Sequence, residues 1–138
     1  MRTVVRRRPH GRLARTVALL SYRGRVSGRS FTVPVEYAAD AEGRYIVVPG
    51  DPEHKNWWKN FRVPMTVRFL AAGSDIVGHA ALIEEPKERR DALEAYFRRF
   101  PMAARAHGLP RHGDGGFDSE RLDALADRLV VVRIDRRS

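Results

Sequence analysis

Short strand-like segments, separated by turn residues at hairpin spacing, run through most of this chain. Apolar and polar residues alternate most clearly in residues 31–39, where Phe31, Val33, Val35 and Tyr37 would share one face. The other predicted strands are residues 15–22, 44–48, 65–70, 76–83 and 129–134. Six short strands at this spacing predict a small antiparallel barrel rather than a helical bundle.

Helical patterns are limited to three segments. Residues 54–61 predict a short helix that carries Trp57 and Trp58, and residues 86–100 predict the clearest helix. Its core-facing stripe recurs at i, i+3, i+4 and i+7 and consists of Leu93, Tyr96, Phe97 and Phe100. A third helix begins at a capping Asp118 or Ser119 and runs to about residue 127. The predicted class is therefore mainly β with helices.

Composition narrows the kinds of site that the chain can build. The 138 residues contain neither an internal repeat nor a low-complexity linker, so we expect one domain, 1–138, with residues 1–14 as a basic arm. Without Cys there is no disulfide, cysteine nucleophile or thiolate metal site. We predict no metal site, because His107 and His112 stand five apart without an acidic partner. Apolar runs such as residues 17–20 are too short to span a bilayer, and the Arg-rich start does not fit a secretory signal, so we expect a cytoplasmic protein.

The net charge of +9 comes entirely from the start of the chain. Residues 1–29 hold nine Arg and no acidic residue, whereas the charges of residues 30–138 sum to zero. Such a one-sided cluster attracts anions such as phosphates, nucleic acid or an acidic membrane surface. Nucleic acid is the less favoured partner, because the aromatic residues are not interleaved with the arginines as a stacking platform requires.

One part of this basic region has the composition of an anion-binding turn. The stretch Arg23-Gly24-Arg25-Val26-Ser27-Gly28-Arg29 joins the first two predicted strands. Its glycines would let backbone N–H groups approach an oxygen, Ser27 adds a hydroxyl, and the arginines add forked charge. It lacks the spacing of a P-loop, and an ordinary Arg-rich hairpin loop would have the same composition.

A second informative stretch is Gly50-Asp-Pro-Glu-His-Lys-Asn-Trp-Trp-Lys-Asn-Phe61. Its adjacent Trp residues, flanked by Asn56 and Asn60, indicate either a wall for a ring-shaped ligand or a helix that plugs the end of the barrel.

Together, the two stretches resemble the deazaflavin-dependent nitroreductase family of the flavin/deazaflavin oxidoreductase superfamily. The similarity lies in Gly-Arg-x-Ser-Gly, then Pro34-Val-x-Tyr37, and then a strand followed by Trp-x-x-Asn-Phe. It implies a six-stranded antiparallel split β-barrel, related in fold to pyridoxamine-phosphate oxidase. It also implies the coenzyme F-420, a deazaflavin with a phospholactyl-polyglutamate tail. The residues implied to hold the phosphate or tail are Arg25, Ser27, Gly28 and Arg29. Those implied to shape the ring groove are Pro34, Val48, Pro49, Trp57 and Asn60.

The resemblance implies an enzyme that transfers a hydride from the reduced deazaflavin to a quinone, nitro compound or enone. FMN is the less favoured cofactor. The alternative function is a non-catalytic flavin, deazaflavin or haem binding protein of the same fold. For either function, we expect a monomer or a homodimer. Val26 replaces a common family Lys, and no Tyr follows residue 101 where the better-known members place several. His54, Arg111 and His112 are therefore the candidate catalytic residues. Residues 108–116 are interpreted either as a lid over the acceptor or as a plain connector.

Overall fold

A seven-stranded antiparallel sheet forms the centre of the protein in the computed structural model, which describes residues 17–136. The predicted basic arm, 1–14, lies outside the described residues, as does the start of the first predicted strand. The strands are β1 Val17–Arg23, β2 Ser30–Glu36, β3 Ala38–Ala39, β4 Tyr45–Val47, β5 Met65–Ala71, β6 Ser74–Leu82 and β7 Val132–Arg136. The helices are a 3-10 helix Trp57–Arg62 and the α-helices α1 Pro86–Arg99, α2 Pro101–Ala106 and α3 Ser119–Arg128.

The sheet curls so far that its two edges are neighbours in the sequence. The strand order is β2-β1-β5-β6-β7-β4-β3, which puts β2 and β3 at opposite edges although only Tyr37 separates them in the chain. The single strand predicted for residues 31–39 is therefore wrong in its extent, and the strand count rises from six to seven. The chain breaks at Tyr37 because it leaves one edge of the sheet to begin the other.

A hairpin lies at each edge of the sheet, β1–β2 at one edge and β3–β4 at the other. β1 pairs with β2 from Val17 opposite Glu36 to Arg23 opposite Ser30, so residues 24–29 form the turn between them. The segments predicted as the second and third strands pair with each other only at Ala38 and Ala39, which stand opposite Ile46 and Tyr45 of β4. The rest of the predicted second strand is already paired with β1.

The last strand is inserted into the middle of the sheet. Ile134 on β7 stands opposite Ala80 of β6 on one side and opposite Tyr45 of β4 on the other. The predicted closing strand is thus confirmed, and it joins the part of the sheet that begins at β2 to the part that ends at β3.

Two apolar cores lie on opposite faces of the sheet. Neighbouring residues of β4 show the division, because Val47 packs in the core inside the curl whereas Ile46 packs under the helices. The inner core contains Phe61 and Phe69, both fully buried. The outer core contains three residues of the predicted helical stripe, Leu93, Tyr96 and Phe97, while Phe100 lies just beyond the end of α1 and is half-buried.

The helices differ from the predictions mainly at their ends. The Trp-containing helix is a 3-10 helix that begins at Trp57, so His54 lies in the turn before it. α2, residues 101–106, is not among the three predicted helices. The predicted cap of α3 is confirmed, since the Asp118 carboxylate accepts the backbone N–H of Arg121 at 3.0 Å.

Candidate functional site

The two stretches singled out by sequence meet across one groove of about 640 Å³. The turn between β1 and β2 forms one wall, which is lined by Tyr22, Gly24, Arg25, Val26, Ser27 and Phe31. The 3-10 helix and its flanks form the other wall, which is lined by Asn56, Trp57, Lys59, Asn60, Arg62 and Val63. We call this space the turn–helix groove.

The turn wall is held by its own hydrogen bonds. The Gly24 N–H donates to the Arg29 carbonyl at 2.7 Å, and the Gly28 N–H donates to the Gly24 carbonyl at 2.8 Å. Gly28 has φ +73°, a conformation that favours glycine. The Ser27 hydroxyl oxygen accepts the Arg29 N–H at 3.2 Å, so the O–H of Ser27 remains available as a donor. The N–H groups of Gly24, Gly28 and Arg29 thus all donate within the loop, including the two glycine N–H groups predicted for an anion, and the Ser27 O–H remains as a donor.

Direct hydrogen bonds tie the two walls together. The backbone N–H of Arg25 donates to Asn60 Oδ1 at 2.8 Å. The Arg25 guanidinium donates from Nε to the Asn60 carbonyl at 3.2 Å and from Nη2 to the Val63 carbonyl at 2.9 Å. Asn60 in turn donates from Nδ2 to the Trp57 carbonyl at 2.9 Å. The Arg of the first motif and the Asn of the second are therefore partners.

Aromatic rings form the base of the groove. Phe61 is fully buried, and the rings of Tyr22 and Trp57 meet it edge-on at centroid distances of 5.4 Å and 6.2 Å. Phe31 stacks on Tyr22 and is partly exposed. Burial raises the pKa of the Tyr22 hydroxyl, which keeps this group protonated. The two Trp side chains differ in position. Trp57 lines the groove, whereas Trp58 does not and donates its indole N–H to the Pro52 carbonyl at 3.1 Å.

The charge lining the groove is positive. The Arg29 guanidinium lies 6.0 Å from the centre of the Phe31 ring. Lys59 and Arg62 lie 5.7 Å and 5.6 Å from the centre of a Trp58 ring. Within residues 17–136 none of these three cations forms an ion pair, and no Asp or Glu lines the groove. Cations held against aromatic faces without carboxylate partners keep their charge available to an anionic ligand.

The structure brings together part of the predicted site. Arg25, Ser27, Trp57 and Asn60 line the groove, and Gly28 and Arg29 belong to the same turn. Three predicted ring-groove residues lie elsewhere. Pro34 is exposed on β2 opposite Leu19, Val48 packs against the outer core, and Pro49 is buried after β4.

The three candidate catalytic residues do not line the turn–helix groove. His54 is exposed, and its Nδ1 lies 2.7 Å from Asp51 Oδ1. Arg111 and His112 lie in a small hairpin on the helical side, where Arg111 bridges to Phe117 and His112 donates its backbone N–H to Gly116. Leu109, at the start of this segment, is fully buried, so the segment is better packed than its composition predicts.

Sequence reasoning missed several groove residues. The strand pattern alone predicts nothing more for Tyr22 and Phe31 than a place in a sheet, although Tyr22 directly precedes the basic turn and Phe31 lies two residues after it. Lys59 and Arg62 were not proposed as ligands, although an i, i+3 pair of cations within the Trp-containing stretch was a usable signal.

A larger groove of about 800 Å³ lies between the Asp40–Arg44 turn and α1. Its charges neutralise one another through Arg44–Asp40, Arg133–Glu88 and Arg98–Glu94 pairs at 2.8–3.0 Å.

Among the described side chains no three His, Asp or Glu could hold a metal ion together. From residue 17 to residue 136, no helix has the length and apolar character needed to cross a membrane.

Comparison with known structures supports the fold. An F420-H2 Dependent Reductase (FDR-A) is 21% identical, with a TM-score of 0.62 over 88% of this chain and 95% of its own. A structure described as a domain-swapped dimer has the same identity and TM-score over 88% of this chain and 81% of its own. A conserved hypothetical protein from Mycobacterium tuberculosis is 17% identical, with a TM-score of 0.57 over 95% and 82% of the two chains. At these identities the likeness shows the fold alone.

Sequence comparison identifies the family. No curated protein gives a significant match to this sequence. Residues 2–110, which include both walls of the groove, match the family described as F420H(2)-dependent quinone reductase. The predicted kinship with F-420-dependent reductases is thereby confirmed. The chain belongs to the F420H(2)-dependent quinone reductase family, and its class of activity is that of an F-420-dependent oxidoreductase.

Proposed function

We propose that the turn–helix groove binds reduced coenzyme F-420 and presents it to a quinone. The single observation that carries this proposal is that one groove is lined both by Lys59 and Arg62, which form no ion pair within the described chain, and by the aromatic rings of Tyr22, Phe31 and Trp57. A deazaflavin has both an extended ring and an anionic tail, so it needs both surfaces. Ser27 and Arg29 would hold the phosphate or tail, and Gly28 would give the turn its form. Arg25, also implied for the tail, donates its side-chain N–H groups to the Asn60 and Val63 carbonyls. Trp57 and Asn60 would shape the place of the ring.

The residues present fit this cofactor chemically. The turn offers the Ser27 O–H and the arginine N–H groups, and charge-assisted hydrogen bonds of this type contribute about 1.5–3 kcal/mol each. Lys59 and Arg62 supply positive charge from the opposite wall. No acidic residue among those lining the groove would repel a carboxylate tail.

When bound, the coenzyme supplies a hydride, so the chain itself needs no nucleophile. The role of the protein is to bind and orient the two reactants and to exclude water from the groove. The raised pKa of Tyr22 leaves a protonated hydroxyl on a groove-lining residue. We propose a quinone as the acceptor because the matched family is named for that activity.

Anaerobic titration with F-420, FMN and haem, followed by turnover assays, tests the proposal. We expect F-420 to bind more tightly than FMN, and we expect its affinity to fall as salt screens the exposed cations. We expect oxidation of the reduced coenzyme to be faster with a quinone than with a nitro compound or an enone.

Two arginine variants provide a matched comparison. Arg29→Gln removes a cation from the turn and should weaken F-420 binding by about tenfold or more, the equivalent of one charge-assisted hydrogen bond. Arg105→Gln removes the same charge from exposed α2, away from the groove, and should leave affinity unchanged. Equal affinity for FMN and F-420, or no effect of salt, would contradict the proposal. Tight F-420 binding without turnover of any acceptor would favour the non-catalytic alternative.

A further inference from the structure

The side chain of Arg25 is already occupied by the protein. Its Nε and Nη2 donate to the carbonyls of Asn60 and Val63, which lie at and just beyond the last turn of the 3-10 helix. Carbonyls at a helix C-terminus lack partners within the helix, and they carry partial negative charge. A guanidinium can reach two such oxygens at once because its donors form a rigid fork.

Asn60 completes the connection from the other side. Its Oδ1 accepts the Arg25 backbone N–H, and its Nδ2 binds the Trp57 carbonyl at the start of the same helix. The turn wall is thus fastened to both ends of the 3-10 helix through one Arg and one Asn that stand 35 residues apart in sequence. No other hydrogen bonds are observed between these two walls within the described chain.

We propose that Arg25 is a positioning residue that, together with Asn60, sets the spacing between the two walls of the turn–helix groove. This inference rests on the proposed function for its consequence in catalysis, although the connection itself is independent of any ligand. Arg25 would act through Asn60 and Trp57 on the shape of the groove. Direct contact with the anionic tail would be left to the other cations.

The contrast with the neighbouring cations supports this division of roles. The side chains of Arg29, Lys59 and Arg62 lie beside aromatic rings, and within the described residues none of them donates to a backbone oxygen. Arg25 alone among these four donates to carbonyls of the opposite wall. A small displacement of a positioned reactant costs up to about a hundredfold in rate, so such a fastening has a catalytic consequence.

The first test needs no cofactor. In a Trp58→Phe background, Trp57 is the only Trp, and its quenching by acrylamide reports how tightly the helix wall is closed. Arg25→Lys keeps the charge but loses the fork, and Asn60→Ala removes both side-chain bonds. We expect each variant to raise quenching, and the double variant to raise it no further than the worse single variant. Arg105→Gln, on exposed α2 and away from the groove, is the control and should leave quenching unchanged.

The second test separates positioning from direct anion binding. We expect Arg25→Lys and Asn60→Ala each to lower kcat/KM about tenfold to a hundredfold, non-additively, with an unchanged salt dependence of F-420 binding. Arg29→Gln should instead reduce that salt dependence. Wild-type kcat/KM in Arg25→Lys, or additive losses in the double variant, would overturn the inference. If no F-420 activity is found but the quenching effects are non-additive, the proposed function fails while the connection between the walls stands.

Discussion

Tyr22 and Phe31 are paired residues of the first hairpin, and their rings stack with centroids 5.6 Å apart at the mouth of the turn–helix groove. The ring of Phe31 also covers Gly24, the first residue of the turn. A Cβ at Gly24 would lie 2.8 Å from Phe31 Cε2 and 2.9 Å from Ser27 Oγ. The stacked rings of Tyr22 and Phe31 therefore pack closely against the basic turn, and the closest approach is between Phe31 and Gly24.

Gly24→Ala should damage the site more than the fold. The added methyl must displace the Phe31 ring or the Ser27 hydroxyl, and both line the groove. We expect at least a tenfold loss of F-420 affinity, about 1.4 kcal/mol, measured by titration. Gly113→Ala, where the added Cβ meets nothing within 4 Å, is the matched control. Wild-type affinity in Gly24→Ala would show that this corner of the groove does not contact the cofactor.

Phe97→Ala should destabilise the whole domain. Phe97 is fully buried in the outer core between α1 and its neighbours, so its removal leaves a cavity that rigid elements surround. We expect a loss of about 3–5 kcal/mol in the free energy of unfolding, measured by urea denaturation.

Met102→Ala is the appropriate comparison for Phe97→Ala. Met102 lies in the first turn of the next helix but is 77% exposed, so its truncation should change the free energy of unfolding by less than about 0.5 kcal/mol. A loss below about 1 kcal/mol for Phe97→Ala would mean that the outer core collapses around the missing ring.

Stability should fall between neutral and mildly acidic pH because of His107. His107 is exposed over part of its surface, but partial desolvation of its imidazole beside Phe97, with a smaller contribution from Arg128, lowers its pKa below 6.5. The unfolded chain therefore binds a proton at a higher pH than the folded chain does. The favourable contribution is complete above pH 6.5 and is lost as the pH falls from 6.5 through the folded pKa.

Urea midpoints measured from about pH 7.5 to about pH 5 would reveal this loss of stability. His107→Gln should flatten the profile over that range, because Gln cannot titrate. An unchanged profile in that variant would assign the pH dependence to other groups.

His112→Ala should reduce turnover by no more than about twofold, since neither His112 nor Arg111 lines the turn–helix groove. Removing residues 113–115 while keeping buried Leu109 tests the whole segment without opening the outer core. Unchanged turnover with unchanged F-420 affinity is expected of a connector. A marked loss of turnover at unchanged affinity would instead establish the lid.

The alternation of apolar and polar residues predicted the strands well where one face of the strand is buried. Val35 and Tyr37 are buried on the expected face, and α1 was placed to within one residue. The burial pattern shifts at the break, where Tyr37 and Ala38 are both buried, each in a different core. The shift was not predictable from local pattern, because it falls on two small alanines that do not mark a change of face. The reason for the break is the curl of the whole sheet, which depends on pairings with distant strands. For α2, Pro101 followed by Met-Ala-Ala-Arg-Ala was a helix signal hidden in a Gly- and Pro-rich region.

The candidate site was predictable in its components but not in its connections. The basic turn and the Trp-containing stretch each carry unusual residues, and both form the groove. The bonds between Arg25 and Asn60 join positions 35 residues apart, and no local spacing reveals them. Pro34 was placed near the ring by resemblance, but β2 is an edge strand and exposes it to solvent.

The insertion of β7 between β6 and β4 has a consequence for how the chain is made. During synthesis, β1, β2, β5 and β6 can pair as soon as they leave the ribosome, since each is joined to its neighbour by local or already completed contacts. β4 and β3 have no place in this sheet until Val132–Arg136 has been translated. Until then, β6 and β4 both present unpaired backbone to other chains, which is the usual route to edge-to-edge aggregation. The nascent chain therefore holds an open sheet from the completion of β6 until Val132–Arg136 is added, and this last strand both closes the sheet and covers its exposed edges.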